Sequence, residues 1–236
     1  MPTLTTAQRR AHYDAFVTEV IELCALNGVR ADLASGRGRP VEECERMQKY
    51  LSVRTARFGA RRAHYTVASL IAMQRHLPHE PGPYIAEWAH PGPDTTADTP
   101  QPDTDSSLLQ QEEPHQTPAP PGTAAGDPTP AQTTTAPPWR ARPNLGTSLA
   151  LAVARHGFKQ SRMDDRVKTL TRLSTPLLHP RLWTLAAHLH SRQAARLDFA
   201  VLLEDLTWWD HDRLHIATRW RESYFQTLDR LVSQED

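Results

Sequence analysis

The stretch "LDFAVLLEDLTWWD" (residues 197–210) sets Phe199, Leu202, Leu203 and Leu206 at the three- and four-residue spacing of one helix face. Asp198 stands where an N-cap belongs, and Trp208 and Trp209 close the stretch. Adjacent residues on a helix point about 100° apart, so two neighbouring tryptophans cannot share a face. The reading is one Trp in the core and the other at a partly exposed site or partner contact, with base stacking by Trp209 as the lesser alternative. A second apolar face, Ile216, Trp220, Phe225 and Leu228, follows over about 212–232. The C-terminal end is therefore two amphipathic helices in succession.

Working outward, the same period recurs. Tyr13, Phe16, Val17, Val20, Ile21 and Cys24 form a face within 6–27, with Gly28 placed as a C-cap. After the turn "ASGRGRP", Pro40 opens a helix over about 41–51, and a third, about 60–76, presents Ala63, Val67, Leu70 and Ile71. "NLGTSLALAVARHG" reads as a short helix closed by Gly157. "SRMD" at 161–164 has the capping-box form for a helix through Leu173, and another spans about 179–191. No stretch alternates with period two long enough to make a strand. The fold class is all-α: two small helical bundles joined by a long disordered Pro/Thr-rich linker.

The linker is read at 91–143, between an N-terminal bundle (1–90) and a C-terminal one (144–236). It carries 13 of the chain's 20 prolines and ten threonines, with almost no aliphatic side chain. Such a composition buries too little surface to offset ordering entropy, and rapid proteolysis there is expected.

The formal charge of this 236-residue chain is zero, which argues at first against a polyanion partner. The average hides a division. Residues 1–90 hold 12 basic and 9 acidic groups, 91–143 hold 2 and 7, and 144–236 hold 13 and 11. From Arg46 to His79 there are seven Lys or Arg and no acid; from Arg155 to Arg192 there are eight against Asp164 and Asp165. One-signed runs in both bundles favour a phosphate-facing surface, with Arg54, Arg57, Arg61 and Arg62 on one side and Arg166, Lys168 and Arg172 on the other. Two cysteines on apolar positions make no disulfide framework, and no charged leader or membrane-length apolar run is seen. The expectation is a cytoplasmic protein with no membrane partner.

Enzymatic readings have thin support. His211-Asp212, with His188 or His190 before and Asp229 after, has the outline of a metal-dependent HD-type phosphohydrolase. Yet Asp212 and Asp229 share one continuous helix, and an Asp at 210 or 212 also serves as a helix cap. Glu204 and Asp205 are adjacent and point to different sides, and Asp198 is a cap, so these carboxylates read as structural. No phosphate loop, nucleophile elbow or Cys/His cluster is present. The expectation is a non-enzyme with no cofactor, no metal and no catalytic residue.

Leu145, Gly146, Leu149 and Ala150, then Arg166, Leu170, Arg172 and Leu173, then Leu197, Asp198, Phe199, Leu206, Trp208 and Trp209 resemble, in order and spacing, the small subunit of the type I-E CRISPR Cascade complex, the CasB family. The likeness spans about 144–232, and more loosely the N-terminal half; relatives have a shorter linker. It implies a non-catalytic structural subunit of a crRNA-guided antiviral complex. Its partners would be the large, backbone and crRNA-processing subunits, a second copy of itself, crRNA and target DNA. It also implies that the terminal Trp is mostly core. A helical RNA- or ssDNA-binding adaptor outside CRISPR remains the alternative.

Overall fold

The computed structural model describes residues 4–74, 138–192 and 197–234. The linker reading for 91–137 and the basic residue Arg75 lie outside them. The described residues form helices α1 (Thr6–Cys24), α2 (Asn27–Ala34), α3 (Glu45–Thr55), α4 (Arg61–Met73), α5 (Leu145–His156), α6 (Gln160–Leu170), α7 (Thr175–Ser191) and α8 (Phe199–Val232), with no strand among them. The chain is all-α.

Several ends differ from the sequence reading. The first helix stops at Cys24, and Gly28 lies inside a separate short helix, α2, instead of capping α1. Thr5, not noticed in the sequence, caps α1 through a capping box with Gln8. The box expected at Ser161 does not form: α6 begins at Gln160 with no side-chain cap, and it ends at Leu170, so Arg172 lies in the following turn. Asp198 does cap α8, accepting from the amides of Ala200 (3.2 Å) and Val201 (3.1 Å). Gly157 ends α5 in the left-handed region at φ 65°. The two C-terminal helices form one run, Phe199–Val232, broken by non-helical backbone at Asp212.

Two helices organise the core. In α4 every residue from Ala63 to Ala72 is buried, including His64, Tyr65, Thr66 and Ser69 off the expected face. Such all-round burial needs small side chains and satisfied polar groups. His64 bonds the Ala60 carbonyl through Nδ1 (3.0 Å), Thr66 Oγ1 meets His179 Nδ1 (2.8 Å), and Ser69 accepts from the Arg37 amide (3.0 Å). The second is α8, which lies against α1, α4, α5 and α6. One hydrophobic core thus runs from Phe16, Leu51 and Ile71 to Leu149, Leu178 and Leu203.

Close approach of α5 to α8 explains Gly146. A Cβ there would fall 1.9 Å from the Trp220 carbonyl oxygen, so only glycine fits; Leu145 beside it is buried. Residues 138–143, read from sequence as the end of the linker, are built into the fold. A turn over Trp139–Ala141 brings the Trp139 Nε1 to donate to Glu204 (2.6 Å). Arg142, 9 % exposed, donates from Nε and Nη2 to both oxygens of Asp198 (2.7 and 2.8 Å) and from Nη1 to Asp14 (2.7 Å). Its guanidinium also lies 4.3 Å from the Trp139 ring. A proline-rich context hid a clamp between α1 and the start of α8.

Candidate nucleic-acid interface

The tryptophan pair divides as the 100° offset demands. Trp209 is fully buried, stacks on Trp220 at 4.8 Å and donates from Nε1 to the Leu173 carbonyl (3.0 Å). Base stacking by Trp209 is thereby overturned, since no ring face reaches solvent. Trp208 is the half-buried partner, with the Arg9 guanidinium 4.9 Å from its ring. The neighbouring carboxylates are structural. Glu204 accepts from Arg10 and Trp139, and Asp205 accepts from the Trp220 Nε1 (2.6 Å) and from Arg219. Burial pushes the Asp205 carboxyl up to about 6, against the pull of those two donors.

His211, Asp212, His215 and Asp229 are all exposed on α8. Among the described residues no three His, Cys, Asp or Glu side chains gather as a ligand set. Asp212 instead marks the break in α8.

The basic residues divide by how they are engaged. Arg54, in the last turn of α3, pairs with Glu19 (3.0 Å) and donates to the Tyr50 carbonyl. Arg57 lies in the α3–α4 turn, and Arg61 and Arg62 open α4. Arg62 donates from Nη2 to the carbonyls of Gly38 and Pro176 (3.2 Å each). The second acceptor is available because Pro180, inside α7, has no N–H to offer the carbonyl four residues back. Its charge, together with burial as the larger cause, drives the His179 imidazole down to about 4. The side chains of Arg57, Arg61, Lys168 and Arg172 are exposed and make no ion pair or hydrogen bond among the described residues.

Helix α7 meets one basic residue from each set. It packs on α4 on one side and α6 on the other, so Arg62 meets its first turn while Arg166 faces its middle. Between α6 and α7 lies a cleft of about 410 Å³, lined by Arg166 with Arg181 and His188. Sequence reading missed Arg181. Its only signal was a place in the basic run; only the α6–α7 packing brings it opposite Arg166. Lys168 and Arg172 do not line this cleft.

The comparisons bear on this arrangement. The CRISPR-associated protein Cse2 family matches the chain over residues 29–225. The chain belongs to the Cse2 family. That is the CasB small-subunit family which the C-terminal segments resemble, and the match extends well into the N-terminal half. Two solved structures share the fold of the family member described here. One, described as "CRISPR RNA-guided surveillance complex, pre-nicking", has a TM-score of 0.64 at 23 % identity, covering 96 % of this chain and 99 % of its own. The other, "CRISPR RNA-guided surveillance complex", has a TM-score of 0.63 at 23 % identity, covering 97 % and 99 %. No curated protein matches the sequence.

Proposed function

We propose that this chain is a non-catalytic small subunit of a crRNA-guided, type I-E CRISPR surveillance complex in the cytoplasm. Its role is to stabilise the guide–target R-loop through phosphate contacts that carry no base preference. The observation that carries the reading is a set of exposed cations, Arg57, Arg61, Lys168 and Arg172, that have no ion pair among the described residues, in a Cse2-family chain whose net charge is zero. Phosphate contacts add affinity and position without reading sequence; guide–target pairing reads it. R-loop exchange is nearly balanced in free energy, so a few contacts decide whether it locks. Arg57, Arg61, Arg166, Lys168 and Arg172 are the contacts favoured, with Arg54 and Arg62 holding the surface that presents them. Large, backbone and crRNA-processing subunits, and a second copy of this chain, are the protein partners. Among the described residues no helix is long and apolar enough to cross a membrane.

The test uses the assembled complex with Lys168→Ala and Arg172→Ala together. Both are exposed, so assembly should survive. Target-DNA retention should weaken equally for every guide, and the salt slope should fall by about one unit per contact. Retention like wild type across a salt series, or a guide-dependent defect, would overturn the proposal.

A further inference from the structure

The α6–α7 cleft carries features that a phosphate-tracking surface does not need. Its basic groups stand over an apolar floor formed by Leu170 and Leu185, both buried. Its volume, about 410 Å³, falls within the range of roughly 300–1,000 Å³ typical of small-ligand sites. Arg166 and Arg181 pair with no carboxylate among the described residues, although Asp165 lies on the same rim. His188 is held edge-on against Phe158 (5.3 Å), which fixes its ring at the cleft wall. Burial lowers the imidazole pKa, and the charges of Arg166 and Arg192 lower it further, keeping the ring neutral and suited to stacking.

We propose that this cleft binds one unpaired nucleotide, its phosphate on Arg166 and Arg181 and its base against Leu170, Leu185 and the His188 ring. Guanidinium groups match phosphate oxygens with paired donors, and an imidazole is one of the rings on which bases stack. Asp165 supplies an acceptor for a base amino group or a sugar hydroxyl. The occupant is unpaired because a duplex presents only its backbone and base edges, with the base faces stacked inside and unable to enter a cavity. A free mononucleotide and a nucleotide within a single strand present the same chemistry. The inference rests on the phosphate-contact reading and adds the strand state to it.

The experiment follows the His188 imidazole by NMR in the full chain, assigned with His188→Gln. The probes are thymidine 5′-monophosphate, decathymidylate, inorganic phosphate and a short DNA duplex. The two thymidine probes should shift His188 saturably, while phosphate and duplex bind about tenfold more weakly or less. Tighter binding of decathymidylate would mark a strand site, and equal binding a free-nucleotide site; either supports the cleft. Arg166→Ala and Arg181→Ala should each weaken binding about tenfold, whereas Arg155→Ala, on α5, should not. A His188 signal that ignores both thymidine probes, or phosphate or duplex binding as tight as theirs, overturns the proposal. Lys168 and Arg172 lie outside the cleft, so their effect on target-DNA retention tests the broader function separately.

Discussion

Asp198 has a side chain only 2 % exposed, and Arg142 gives it both of its donors besides the helix amides it caps. Removing one member of such a pair strands a buried charge. Arg142→Ala should therefore cost about 3–5 kcal/mol, read by urea unfolding; Asp14→Ala, at the half-exposed end of the clamp, should cost much less. Gly146→Ala drives a methyl into the Trp220 carbonyl and should cost about 2 kcal/mol or more in the same assay. Buried titratable groups set the acid response. Burial lowers His64 and His179 to about 4 from an ordinary 6.5, so the unfolded chain binds more protons between those values. Stability should fall as pH drops from about 6.5 to about 4, by at most about 1.4 kcal/mol per unit for each histidine. Asp205, raised to about 6, works the opposite way between 3.8 and 6, where the folded state holds the extra proton. His12 and His188 are also lowered and Asp14 raised. The lowered histidines outnumber the raised carboxylates, so urea midpoints should decline from pH 7 to pH 5. His179→Gln should flatten that decline and Asp205→Asn should steepen it.

At the scale of the element, α7 shows how an internal proline is used. Pro180 leaves the Pro176 carbonyl without its helical partner, and Arg62, from α4, supplies the donor. The neighbouring turn is fitted to the same helix. Gly38, at φ 71°, has no room for a Cβ against the His179 carbonyl, which would lie 2.4 Å away. Arg61 and Arg62, adjacent in sequence, should consequently behave differently. Arg62→Ala should lower stability by about 1–3 kcal/mol through the unsatisfied carbonyls, while exposed Arg61→Ala should stay within about 0.5 kcal/mol. In the assembled complex, Arg61→Ala should instead reduce target-DNA retention. A stability loss in Arg61→Ala equal to that of Arg62→Ala would show that both are structural. No charge count separates these two residues; the difference lies in α7.

Across the whole molecule, helices from both sequence halves close one core along α4 and α8. Produced as two chains, 1–90 and 138–236, the halves should therefore copurify, and Arg142→Ala should loosen them. Failure of the intact pair to associate would contradict a shared core. Much of this architecture was legible beforehand. Hydrophobic period gave most of the helices and buried faces, because α-helical geometry fixes which residues align. It missed α2, and it put Phe225 on the last helix's apolar face, where Tyr224 is buried instead and Phe225 is exposed. Cap chemistry placed the start of α8 at Asp198, and the 100° offset required Trp208 and Trp209 to part. These are local properties, determined by neighbours along the chain. Other features depended on tertiary structure: which Trp is core, why Gly146 must be glycine, that Arg62 holds α7, that Arg142 belongs to the fold, and that Arg181 faces Arg166. Each rests on a group brought close from a distant part of the sequence. The charge runs specified how many cations there are; packing decided which of them remain unpaired.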